Sequence, residues 1–169
     1  ILLYDIHGEE KRTVVSFDQI PLSVLHATLV AEDIRFYQHL GIDFRGIARA
    51  ILSNLRSNRA VQGGSTITQQ LVKKALLSDE QTLARKIREA VLAILLERKY
   101  SKDEILGMYL NQIPYGSNAY GISAAAQTFF GKEKVSDLTL AQAATLAALP
   151  NAPTRLSPYG SHPDELVTR

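Results

Sequence analysis

The sequence predicts an all-α fold with a short extended N-terminal segment, and three observations carry that expectation. From Pro21 onward apolar residues recur at helical spacing in one segment after another. Two capping boxes, Ser101 with Glu104 and Thr139 with Gln142, each precede an apolar-periodic stretch. Alternation of the strand kind is confined to Thr13-Val14-Val15-Ser16-Phe17, flanked by Gly8 and Pro21, where a short strand or hairpin is expected.

The helices follow in order. Pro21 suits a first turn, Leu22, Leu25, Leu29 and Phe36 mark one apolar face, and Gly41 ends the helix. Phe44, Ile47, Ala48, Ile51, Leu52 and Leu55 define a second helix that runs out in Ser57-Asn58-Arg59. Gly63-Gly64-Ser65-Thr66 opens a third, with Ile67, Leu71 and Ala75 inward. Leu83, Ile87, Val91, Ile94 and Leu95 mark a fourth. Its stretch from Ala90 to Leu96 is apolar all round and is expected at the centre of the core. The two capping boxes open helices through Ile105, Leu106, Tyr109 and Leu110 and through Ala143 to Leu149. Between them a small-residue helix around Ala124 to Phe130 is stopped by Gly131. Pro150, Pro153, Pro158 and Pro163 are expected to end the regular structure.

Length and composition set the frame. A chain of 169 residues suits one domain, with room for two lobes, spanning 1–169, and 46% hydrophobic residues suffice for a core. Absence of cysteine excludes a disulfide framework and a thiolate metal site. No run of about 18 apolar residues is present, so nothing in the chain reads as a membrane span. The abrupt Ile1-Leu2-Leu3-Tyr4 reads like the interior of a longer protein. Net charge is only +2, yet no acidic residue occurs from Phe44 to Ser78, a stretch holding Arg45, Arg49, Arg56, Arg59, Lys73 and Lys74. A block of one sign points to an anionic partner: nucleic acid, acidic lipid or a phosphorylated substrate.

Three constellations could carry chemistry. Glu32 and Asp33 flank the apolar stripe of the first helix, where poor solvation makes a carboxylate a better base. Gly63 to Lys73 combines a glycine turn with a helix N-terminus, an arrangement whose amides and dipole accept phosphate. Thr66, Gln70 and Lys73 follow on one side of that helix. The Gly-Lys-Ser/Thr ending of a nucleotide loop is missing. Arg85-Lys86 with Glu89 one turn later opens the most apolar helix, where a shielded acid needs a partner or a task. The four histidines show no metal spacing, and Tyr100, Tyr109, Tyr115 and Tyr120 read as packing residues.

Together and in this order, these pieces resemble the peptidoglycan glycosyltransferases, family 51 of the glycosyltransferases. Glu32-Asp33, Phe36, His39 and Gly41 match its first motif, and Gly63 through Lys73 its second. Arg85-Lys86, Glu89, Leu92-Ala93 and Glu97 match the third. Lys102, Ile105-Leu106, Tyr109-Leu110-Asn111 and Gly116 are similar to the fourth. Ala119 to Lys132 and Leu140 to Pro153 extend the likeness, so that it covers nearly the whole chain from about Tyr4. Lys74 departs from the Asn usual in the family.

The resemblance implies a lysozyme-like helical head with a smaller membrane-facing lobe, acting on the outer face of a bacterial cell membrane. It implies that lipid II is polymerised with inversion at the anomeric carbon. Glu32 would be the base. Glu89 would orient Arg85 or hold a divalent cation, Mg or Mn, with no cofactor strictly required. Lys73, Arg85, Lys86, Gly64, Ser65, Thr66 and Gln70 would hold the pyrophosphate. Asp33, Phe36, His39 and Asn111 would support the site. The partners implied are lipid II, the growing lipid-linked glycan, the membrane surface, an accompanying transpeptidase domain and other cell-wall synthesis proteins, but no nucleic acid. Two rivals share some of these features. A muramidase-like lytic enzyme accounts for the acid but not for the acid-free basic block. A non-catalytic helical module binding anionic membranes accounts for the cations but not for Glu32 and Glu89.

Overall fold

A computed structural model describes residues 13–57, 64–76, 82–160 and 163–168. Among these, the helices are α1 (Leu22–Glu32), α2 (Phe44–Ser57), α3 (Ile67–Leu76), α4 (Leu83–Lys99), α5 (Lys102–Gln112), α6 (Ile122–Phe130), α7 (Leu140–Ala148) and α8 (Pro163–Thr168). One two-stranded antiparallel hairpin, β1 (Pro114–Gly116) and β2 (Ala119–Tyr120), interrupts them. The all-α expectation therefore holds. No helix among the described residues is long and apolar enough to cross a membrane.

The core is built around α5. Ile105, Leu106, Tyr109 and Leu110 are buried and meet Phe36, Ile67, Ile122, Leu146 and Leu149. Helix α3 packs on α5 and α4, and α1 lies along α7. Both capping boxes form as expected, because a cap is a local interaction fully contained in four residues. Gly131 takes the left-handed conformation (φ 62°) and closes α6. Tyr109 and Tyr115 are buried, and Tyr100 and Tyr120 half-buried, in keeping with packing roles.

Several expectations are corrected. Helix α1 does not run to Gly41. It ends at Glu32, Asp33 leaves helical geometry (φ −158°), and Phe36 sits in a separate 3₁₀ turn, Phe36–Gln38. The buried face of α1 is Val24, Leu25 and Thr28, because that side meets α7, while Leu22 is exposed. The fourth helix is not the centre of the core: only Glu89 and Ala93 are buried, and Leu83, Ile87, Val91 and Leu95 face outward. Phe44, Leu52 and Leu55 of α2 are exposed as well. Periodicity correctly reports that these helices carry an apolar face, but not that another element covers it.

Residues 1–12, including Gly8 at the edge of the expected strand, lie outside the described residues. Thr13 to Ser16 form no strand, and Phe17–Gln19 is a 3₁₀ turn. The backbone of Val15 is satisfied instead by one side chain, since Asn111 accepts from its N–H and donates to its carbonyl, both at 2.9 Å. Hairpin β1–β2 was not expected. Its turn places Ser117 and Asn118 at φ 49° and 59°, the geometry of a tight hairpin turn that asparagine tolerates well. Nor does Pro163 end regular structure; it opens α8, as proline can in a first turn.

Gly41 locks the loop that follows α1. Its φ is +87°, and a Cβ there would lie 2.9 Å from the backbone carbon and oxygen of Ala93 in α4. Its carbonyl accepts from the Thr66 hydroxyl at 2.6 Å, which ties the same loop to the start of α3. Backbone meets backbone, so neither side can give way. Gly41→Ala is expected to destabilise the fold by about 3 kcal/mol, combining left-handed strain with overpacking. Urea unfolding should show a lower midpoint at unchanged slope.

Candidate active site

The end of α1 delivers two carboxylates in opposite roles. Glu32, the last helical residue, is half-buried and reaches a cavity of about 1110 Å³. Its Oε2 accepts from the Gln70 amide nitrogen at 2.8 Å. Tyr115, wholly buried on β1, has its hydroxyl pushed above the usual tyrosine value, by burial first and then by the negative charge of Glu32.

Asp33 also lines the cavity, but its Oδ2 is engaged inward: it accepts from the backbone N–H of Ile67 at 3.1 Å and pairs with His39 Nε2 at 2.9 Å. A carboxylate thus occupies the positive end of α3. The rest of that terminus is closed by a reciprocal box. The Thr66 N–H donates to Gln69 Oε1 at 3.1 Å and the Gln69 N–H to Thr66 Oγ1 at 3.2 Å.

This corrects two expectations. At the α3 terminus the amides of Thr66, Ile67 and Gln69 are already taken, by Gln69, Asp33 and Thr66 respectively, and are not open to phosphate. The Thr66 hydroxyl does not extend a row with Gln70 and Lys73 toward a ligand; it is buried against the carbonyl of Gly41. Gly63 lies outside the described residues. Gly64 lines the cavity, and its bare Cα lets the chain pass close to α2, where a Cβ would lie 3.4 Å from Ile47 Cα.

A cationic wall lines the same cavity: Lys73 from α3, Arg85 and Lys86 from α4, joined by Arg49 and Lys74. Glu89 organises it. Its side chain is buried, with Lys86 on Oε1 and Arg85 on Oε2 at 3.4 Å. Lys86 also donates to Ser65 Oγ at 2.9 Å. Arg85 Nε is buried with no hydrogen-bond partner. The sequence pairing of Arg85 with Glu89 is therefore real, and Lys86 completes it.

The structure brings Glu32, Asp33, Gly64, Ser65, Thr66, Gln70, Lys73, Arg85, Lys86 and Glu89 to one cavity. Phe36 and His39 stand behind it, edge to face at 6.1 Å, with Lys102 over the Phe36 ring at 4.3 Å. Asn111, expected to support the site, holds the Val15 backbone and Gly107 and does not line the cavity.

Sequence reasoning missed Asp43, which lines the cavity. Burial opposes ionisation of Asp43, but N–H groups of Gly46 and Arg45 and the charges of Arg35 and His39 outweigh it and hold its carboxyl below the ordinary value. A carboxylate just before a predicted helix start was the available signal. Among the described residues, no group of three His, Cys, Asp or Glu side chains is arranged to hold a metal ion.

Over almost its whole length the chain is similar to known proteins. The family model described as Transglycosylase matches residues 2–169. Penicillin-binding protein 1A of Aquifex aeolicus is 52% identical over 167 residues, covering 99% of this chain and 23% of that protein. Penicillin-binding protein 1A/1B of Bacillus subtilis is 52% identical over 162 residues, 96% of this chain and 18% of that protein. Penicillin-binding protein 1A of Escherichia coli is 51% identical over 163 residues, 96% and 19% respectively. The chain spans about a fifth of the length of these relatives.

Proposed function

The chain belongs to the transglycosylase family, and from that premise we propose that it polymerises lipid II into β-1,4-linked glycan on the outer face of a bacterial membrane. The observation that carries this reading is the sharing of one cavity by a carboxylate, Glu32, and a group of cations, Lys73, Arg85 and Lys86. Glu32 takes the proton from the 4-hydroxyl of the acceptor N-acetylglucosamine. The freed oxygen attacks C1 of the donor N-acetylmuramic acid from the face opposite the leaving group, so the α linkage becomes β. The C1–oxygen bond breaks and undecaprenyl pyrophosphate departs with the electron pair.

A glycosidase needs an acid to protonate its leaving group. Pyrophosphate leaves as an anion, and fixed cations serve in place of the acid. That requirement favours synthesis over lytic cleavage, since a neutral glycan has no use for such a wall. A non-catalytic membrane module has no use for Glu32 held by Gln70 within it.

A divalent cation at Glu89 fits less well. Both carboxylate oxygens already face Lys86 and Arg85, and one carboxylate is a poor site unless substrate phosphates complete the coordination. No step above depends on a metal. The exposed apolar residues of α2 and α4 support a lobe that faces the membrane. The matched relatives are named penicillin-binding proteins and extend well beyond the matched region, and an accompanying transpeptidase domain is part of the same reading.

Incubation with labelled lipid II, resolved on a gel that separates glycan polymers, tests the reading. A ladder of products supports it; fragments released from purified peptidoglycan with no polymer would overturn it in favour of lysis. Lys73→Ala is expected to slow polymerisation about 100-fold, the cost of removing one donor to developing charge. An unchanged rate would remove Lys73 from the pyrophosphate site.

A further inference from the structure

Gln70 makes two hydrogen bonds that fix the orientation of its side chain. Its nitrogen donates to Glu32 at 2.8 Å, and its Oε1 faces the hydroxyl of Tyr109 at 3.1 Å. A carboxylate can only accept, so the amide nitrogen must face Glu32. The carbonyl end then faces Tyr109, whose hydroxyl must donate to it. With the amide reversed, two acceptors would oppose each other at Glu32. Tyr109 is 1% exposed and belongs to α5, whose Ile105, Leu106 and Leu110 are buried beside it in the core. Its hydroxyl is therefore held in place by the body of the fold.

We infer that Tyr109 is a positioning residue for the base: through the Gln70 amide it holds the Glu32 carboxylate in the orientation that receives the acceptor proton. The inference rests on the glycosyltransferase reading above. Tyr109 touches no substrate, since it lies behind Gln70 and does not line the cavity. Among the described residues, the ionisable groups that share the cavity with Glu32 are Asp33, Asp43, Glu89, Arg49, Lys73, Lys74, Arg85 and Lys86, with Tyr115 on β1 feeling its charge and His39 reached through Asp33. The variant that tests the idea alters none of them.

Tyr109→Phe removes one oxygen and keeps the ring that packs. Steady-state polymerisation of lipid II is to be measured for the wild type, E32Q, Y109F, Q70L and the Y109F/Q70L pair. For Y109F, kcat is expected to fall roughly fivefold to tenfold, the worth of one hydrogen bond, with KM within about twofold. The acid limb of its kcat/KM profile should move to higher pH, because a wandering amide stabilises the Glu32 carboxylate less. In the Q70L background Y109F should add less than about twofold, as expected if Tyr109 acts only through Gln70. A Y109F profile superimposed on an active wild type overturns the inference alone. So does an equal loss in both backgrounds. Absence of polymer from the wild type overturns the enzymatic reading and the inference with it, whereas normal polymer from E32Q removes Glu32 as the base, and so the inference, while leaving polymerisation itself standing.

Discussion

Replacing Glu32 by glutamine is expected to leave the protein folded and able to bind lipid II while polymerisation falls by about 10²- to 10⁴-fold, the usual contribution of a positioned general base. The substitution changes little in volume, and a glutamine carbonyl can still accept from Gln70, so the Gln70–Tyr109 arrangement survives. Only the capacity to take a proton is lost. Among the described acids of the cavity none is placed to substitute for it: Asp43 is held by the N–H groups of Gly46 and Arg45 and by Arg35. Asp33 is committed to His39 and to the N-terminus of α3, Glu89 is covered by two cations, and Tyr115 is held firmly protonated. Thermal unfolding should match the wild type within a few degrees, and lipid II binding should persist. A variant that polymerises at a near-normal rate would remove Glu32 as the base.

What made Glu32 legible in the sequence was its place at the edge of an apolar stripe, together with a likeness spread over several motifs. A supporting role for its neighbour Asp33 came from that likeness, but the contacts through which Asp33 acts were not legible. Adjacent in sequence, Glu32 and Asp33 diverge because the helix ends between them, and it ends there because Asp33 serves α3. The bond from Ile67 to Asp33 spans 34 residues, and the bond from Tyr109 to Gln70 spans 39. Contacts of that kind follow from packing, and no local pattern announces them. The capping boxes at Ser101 and Thr139 were legible for the opposite reason, since every atom involved lies within one turn.

The misplaced fourth helix teaches the same lesson about burial. Apolar spacing from Leu83 to Leu95 predicts a face away from water but does not say what lies against it. Among the described residues that face is left outward, and α5, less uniformly apolar, takes the centre. Within α4 the polar Glu89 is buried while its apolar neighbours are not. Hydrophobicity alone inverts that order. The reason is electrostatic: Glu89 is turned into the cavity wall by Arg85 and Lys86.

Glu89→Gln separates what that acid does for the fold from what it does for chemistry. The substitution keeps the shape but strips the charge from a side chain only 1% exposed. Lys86 is 45% exposed and can turn to solvent, whereas Arg85 is 13% exposed and cannot. The unpaired cation is therefore Arg85, whose Nε already lacks a partner. Breaking such a pair is expected to cost about 3 kcal/mol, or roughly 6–12 °C in unfolding midpoint for a chain of this size. Kinetics should divide differently. With its counter-charge gone, the cationic wall attracts pyrophosphate at least as strongly, so KM should not rise. Arg85 and Lys86 lose the group that aims them, so stabilisation of the departing phosphate weakens and kcat should fall about 100-fold. Measured well below the lowered midpoint, a fall in kcat at constant or reduced KM assigns Glu89 to holding the wall in its transition-state arrangement. A rise in KM at unchanged kcat would instead make it a contributor to ground-state binding and would refute that role.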